Sequence, residues 1–171
     1  MRKETKFNAF GVEYKSKHFA AIPGFAVLAQ PGDIHPLVLF ADTHVKNEEG
    51  EWQPMSDPNI VNKYVVDVTG TLAPLLVLRS VVELVNDYNF GFLIGWQGVK
   101  VPTRFRSDLQ AVHSTYSDPV ISQLIQDGAA TMQQLDEYYS LEDAFRLFDI
   151  LVAKGVNTAK ANEAAAKKSK K

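Results

Sequence analysis

The chain has 171 residues, 46% of them hydrophobic and 22% charged, with no cysteine and a formal charge of −2. Zero cysteines exclude a disulfide scaffold, a thiolate metal site and a cysteine nucleophile. Long uncharged runs such as Phe19 to Gly32 and Val68 to Leu78 are shorter than the ~18 apolar residues of a membrane span. The opening MRKETKF has basic residues without an apolar core behind them, so it does not read as a secretory signal.

The elements follow in chain order. In KFNAFGVEYKSKHF, aromatic and β-branched residues alternate with lysines around Asn8 and Gly11, which predicts a short hairpin with strands near Lys6 to Ala9 and Val12 to Lys17. Ile22, Phe25, Ala26 and Ala29 then recur at helical spacing until Pro31 and Gly32. Asp33 opens a second helical run in which Leu37, Phe40, Ala41 and His44 share a side. The charged, proline-containing NEEGEWQPMSDP reads as a loop, and Asp57 followed by Pro58 as an N-cap with a first-turn proline. Ile60, Val61, Tyr64, Val65 and Val68 give that helix a buried face that Gly70 ends.

Thr71 is the expected cap of a longer helix through Leu75, Leu76, Arg79, Val82, Val85 and Asn86. Its valines make a strand the rival reading, and the four-residue spacing of Arg79, Glu83 and Asp87 favours the helix. NFGFLIGWQGVKVP, with three glycines among aromatics, reads as a short strand or ordered loop dividing two halves near residue 100. Caps then recur: Ser107 before DLQAV, Asp118 and Pro119 before VISQLI, and Thr131 before MQQLDEY, with Gly128 as a stop. Ser140 and Asp143 form a capping box for a helix whose stripe of Leu141, Ala144, Phe145, Phe148, Leu151 and Val152 is closed by Lys154 and Gly155.

The expected fold is α+β and mainly α-helical: a short N-terminal hairpin, a helical bundle, and a frayed C-terminal helix. Residues 1–153 form one globular domain, and 154–171 a basic, alanine- and lysine-rich mobile tail. Charge follows the same division, with −7 over the first 153 residues and +5 over the tail. Eight acids against one base lie between Ser107 and Ala153. An acidic segment followed by a basic tail reads either as a solvated face with a solubilising end or as a pair of docking surfaces for a protein.

Catalytic signatures are missing. GFLIGWQG lacks the lysine and hydroxyl of a phosphate-binding loop, there is no GxSxG or HExxH, and the four histidines show no i, i+4 pairing. His35, His44 and Asp42 read as helix residues with hydrogen-bonded histidines rather than metal ligands. The expectation is therefore no enzyme, no catalytic residue, no cofactor and no metal. Trp96, Lys100, Arg104, Phe105 and Arg106 interleave bases with aromatics, but they adjoin the acidic segment, which opposes nucleic-acid binding. Protein binding is favoured by the concentration of Tyr138, Tyr139, Phe145 and Phe148 among the acids Asp136, Glu142 and Asp149. For Phe145 and Phe148 the alternative is that they fill the core.

FNAFGVEYKSKHFAAIPGFAVLAQ resembles the start of bacteriophage tail assembly chaperones of long-tailed phages, where a GVxY hairpin leads into an apolar helix. TMQQLDEYYSLEDAFRLFDILVAKGVNTAKANEA resembles their carboxyl-terminal extension, with a tyrosine-rich helix, an LED-type helix start and a later asparagine, here Asn157 or Asn162. The two segments cover roughly a third of the chain, and the middle, Pro31 to Asp118, matches neither. The resemblance implies a non-enzymatic role in viral morphogenesis in the host cell cytoplasm. Such a protein solubilises the tape measure protein, recruits tail tube subunits and leaves as the tube grows. It implies partner contacts by Tyr138, Tyr139, Phe145 and Phe148, oriented by Asp136, Glu142 and Asp149, with homo-oligomerisation open. The alternatives are a tail or virion structural protein and, from another class, a nucleic-acid-binding adaptor.

Overall fold

The computed structural model describes residues 2–106 and 114–169. The fold is α+β and mainly helical, with a four-stranded antiparallel sheet of order β1-β2-β3-β4 at the N-terminal side of the sequence. Strands β1 (Glu4–Ala9) and β2 (Val12–Lys17) form the expected hairpin, in register Ala9 to Val12 and Glu4 to Lys17. Its two-residue turn places Phe10 and Gly11 both at positive φ, 55° and 84°, which matches the twist of the flanking strands. Gly11 has a second reason to lack a side chain, since a Cβ there would stand 3.0 Å from the Val68 side chain.

Helix α1 (Ala21–Leu28) follows as expected. The second helical run is cut short. Helix α2 (Pro36–Leu39) has one turn, capped by His35 Nδ1 rather than by Asp33, and His44 lies in strand β3 (Thr43–Lys46) opposite Lys15. The predicted loop likewise contains a strand, β4 (Trp52–Pro54), after a tight turn closed by Asn47 N–H donating to Glu51 O at 2.8 Å. Both strands are short, and they exist because Val45 and Met55 are fully buried in the core with Tyr14.

Asp57 caps α3 (Pro58–Tyr64) as expected, accepting from Asn59 N–H at 2.8 Å, but the helix ends before Val68. Helix α4 (Pro74–Phe90) confirms helix over strand, with Val77, Val81 and Val85 as its fully buried stripe. Arg79 Nε pairs with Glu83 Oε1 at 3.1 Å across one turn. Thr71 is not its cap. Asp67 accepts from the Thr69 hydroxyl and then from that of Thr71, and also from the N–H groups of Thr69, Thr71 and Leu72, and these bonds hold its carboxyl far below the usual range.

NFGFLIGWQG forms no strand. α4 runs to Phe90 and passes into a 3-10 turn, Gly91–Gly95, because Phe92 and Trp96 both pack edge-on against Phe145 at 5.7 Å. The helix expected after Ser107, with Asp108, lies outside the described residues. Asp118 caps α5 (Pro119–Gln126), and Gly128 stops it at φ +68°. After Thr131 the chain forms a π-helical turn, Gln134–Tyr138, and then α6 (Leu141–Ser169). The capping box of α6 is complete: Ser140 N–H donates to Asp143 Oδ2 at 3.0 Å, and Asp143 N–H to Ser140 Oγ at 3.1 Å. Lys154 and Gly155 do not end this helix, which continues without a break across residues 153 and 154.

The segments that lead into α1 and α6 meet in the interior. Ala20 bridges Ser140, with Ala21 N–H donating to Tyr139 O at 3.0 Å and Leu141 N–H to Phe19 O at 3.1 Å. Gly24 lets α1 approach α6, since a Cβ at this position would lie 2.9 Å from Leu141 Cβ. Asn89 fastens α4 to the same place: its Oδ1 accepts from Phe19 N–H at 2.8 Å while its amide donates to Val85 O at 3.0 Å. Among the described residues, no helix is long and apolar enough to cross a membrane.

Asn89→Ala removes the side-chain acceptor that Phe19 N–H has among the described residues and leaves that buried donor unpaired. We expect a loss of roughly 1–3 kcal/mol in urea unfolding; a loss below about 0.5 kcal/mol would show that the junction does not depend on this bond.

Stability should also fall at both ends of the pH range. Burial lowers the His18 pKa from the ordinary 6.5 and outweighs the raising effect of Glu142. The unfolded chain therefore takes up that proton first, and stability is lost as pH drops through the ordinary histidine range. Burial pushes the Tyr14 hydroxyl from 10.0 up to about 12, so its contribution is intact below the unfolded value and lost as pH rises from about 10 toward 12. Urea midpoints across pH check both limbs: His18→Gln should flatten the acid side and Tyr14→Phe the alkaline side.

Candidate partner-binding groove

α6 is built for packing along its first half and left open along part of one side. Its 29 residues span about 43 Å, whereas the eight of α5, packed beside it, span about 12 Å. The mismatch leaves a groove of about 590 Å³ between them. The floor comes from α6: Phe148, Leu151, Val152, Gly155 and Ala159, at spacings i, i+3, i+4, i+7 and i+11, with Gln123 and Asp127 of α5 as the wall and Lys154 at the rim. Gly155 is exposed and nothing lies within 4 Å of where its Cβ would stand, so the backbone itself forms part of the floor. From Phe148 to Ala159 the floor runs about 16 Å, roughly three helical turns.

The predicted site residues separate into three groups. Phe148 is in the groove. Phe145, three residues earlier, belongs to the interior: it stacks on Phe25 at 5.2 Å and meets Phe92 and Trp96 edge-on. Asp149 works with it, accepting from Val99 N–H at 2.9 Å and so clipping the segment after Trp96 onto α6. For Phe145 the core-filling alternative is the one the structure shows, and Asp149 is engaged internally. Tyr138, Tyr139 and Asp136 lie together at the π-helical turn, about two turns of α6 from Phe148. Tyr138 is half exposed and edge-on to Tyr139, which packs against the core and lends its carbonyl to Ala21. Glu142 is paired with Arg146.

A second apolar surface was not signalled by periodicity. Leu75 and Leu76 are 75% and 52% exposed at the start of α4, with Val68 and Leu72 exposed beside them in sequence. The Asp67 hydrogen bonds fix the turn that carries Val68 and Leu72, so these side chains are presented by ordered backbone. The groove had one legible signal, Gly155 and Ala159 spaced i, i+4 behind an apolar run. Reading Gly155 as a stop concealed it.

Chemically the groove offers apolar contact and a rim charge of each sign, Asp127 and Lys154. Among the described residues, no three His, Asp or Glu side chains cluster as metal ligands. No family model, curated protein or solved structure matches the chain.

An open position over an internal helical glycine makes a simple forecast. Gly155→Ala should raise stability by about 0.5–1 kcal/mol in urea unfolding. A destabilised variant would mean that the space above Gly155 is filled in solution.

Proposed function

We propose that this chain is a bacteriophage tail assembly chaperone that binds and solubilises the tape measure protein in the host cytoplasm and recruits tail tube subunits to it. The single observation that carries the reading is the groove beside α6, whose dimensions suit a three-turn amphipathic helix laid against Phe148, Leu151, Val152, Gly155 and Ala159. A protein made of long, aggregation-prone helices supplies many such segments. The resemblance of FNAFGVEYKSKHFAAIPGFAVLAQ and of the segment from Thr131 onward to that family supports the same role. The exposed Val68, Leu72, Leu75 and Leu76 supply a second contact of the same chemistry.

An open groove with few polar anchors favours moderate affinity, which suits a factor that polymerising tube subunits displace. In this reading Phe148 and the half-exposed Tyr138 contact the partner. Phe145 and Asp149 act by shaping α6 and the segment packed on it.

Co-expression with the tape measure protein encoded by the same phage tests the role. The wild-type chain should keep that protein soluble and co-purify with it, and Gly155→Trp, which fills the groove, should abolish co-purification without lowering the urea midpoint. Equal solubility of the tape measure protein with and without this chain would overturn the proposal.

A further inference from the structure

The solvent face of the sheet carries a cluster that the groove does not use. Cross-strand partners share a face, so the register places Lys6 opposite Lys15, and Lys46 opposite Trp52, all on the exposed side. Their ammonium groups converge on the Trp52 indole, with Nζ atoms 5.7 Å (Lys6), 5.0 Å (Lys15) and 6.0 Å (Lys46) from the ring centroid. Lys46 is neutralised by Glu13 at 2.7 Å. Lys6 and Lys15 have no carboxylate at ion-pair distance among the described residues. Like charges directly opposite on a ladder destabilise it, and the ring offsets only part of that cost. A depression of about 480 Å³ beside the ring is lined by Lys6, Lys46 and Trp52 together with Glu13, and Lys15 stands outside that lining on the other approach to the indole.

We infer that this face docks a short acidic segment of a partner polypeptide, whose carboxylates bridge Lys6 and Lys15 over Trp52. Charge complementarity selects the occupant. The lysines converge on one point, which suits two or three carboxylates held close together, as at i and i+4 on a helix. A nucleic-acid strand asks for something different: bases strung along a backbone path and an open aromatic face on which to stack. Here the ring face is covered by the lysines of three strands. The site is made by strands alone, so it stands or falls independently of the groove between α5 and α6.

The full chain titrated with a hexaglutamate peptide at low ionic strength tests this, by calorimetry and by Trp52 emission in a Trp96→Phe background. We expect binding that weakens with salt and falls about tenfold in the Lys6→Gln/Lys15→Gln variant. It should be unchanged in Lys154→Gln/Lys160→Gln, which alters the basic end of α6, and in Gly155→Trp. The single variant Lys15→Gln should also raise the urea midpoint by relieving the repulsion. The inference is overturned if hexaglutamate does not bind, or if its binding follows Lys154 and Lys160 instead. It is equally overturned if a twelve-residue oligothymidylate binds more tightly through Lys6 and Lys15, or if sedimentation shows a dimer without peptide that those two lysines control.

Discussion

Everything in this fold is hung from the bridge between Ala20 and Ser140. Two backbone hydrogen bonds there join the residues just before α1 to those just before α6, a sequence separation of about 120 residues, in an isolated bridge outside the four-stranded sheet. Each side is prepared by its own chemistry. Gly24 supplies the absence of a side chain that lets Leu141 pack against α1, and the Ser140/Asp143 box satisfies the first turn of α6 where it would otherwise be buried with orphan N–H groups. Asn89 then ties α4 to the same point. A long-range contact of this kind carries a large loop-closure entropy, so several short-range interactions must converge on it for it to persist.

Once α6 is anchored at its N-terminus, the rest of its length is free to serve as a surface. Phe145 and Asp149 are still engaged within the fold, the first packed on Phe25, Phe92 and Trp96 and the second accepting from Val99 N–H at the surface. Beyond them α5 is too short to cover the apolar side, and the groove from Phe148 to Ala159 results. The proposed chaperone role rests on that exposure. The sheet contributes a different kind of surface, in which fixed strand register brings lysines from β1, β2 and β3 onto one indole from β4.

Local chemistry was the readable part of the sequence. Asp57, Asp118 and Ser140 cap helices where their neighbours said they would, because a cap depends on a side chain and the next three residues. The hairpin was readable for the same reason. Strands β3 and β4 were not, since four residues and three residues carry too little pattern, and the pairing of β3 with β2 and of β4 with β3 goes with burial of Val45 and Met55 against residues distant in sequence. Of the predicted site residues, Phe148 lines the groove, while Phe145, three residues earlier, packs against Phe25, Phe92 and Trp96, a division that helical spacing alone cannot make. Gly155 misled because glycine after an apolar stripe normally ends a helix; the alanine-rich stretch behind it has enough helix propensity to carry α6 through. Leu75 and Leu76 were placed on a face that tertiary packing leaves in solvent.

In the proposed role, α6 beyond Phe148 docks a helix of the tape measure protein. Amide hydrogen exchange on the co-purified complex, compared with the free chain, addresses it directly. If α6 takes that helix, exchange slows between Phe148 and Asn162 on α6 and across α5, with the sheet unaffected. Slowed exchange confined to the sheet or to the π-helical turn, with α6 unchanged, would contradict it.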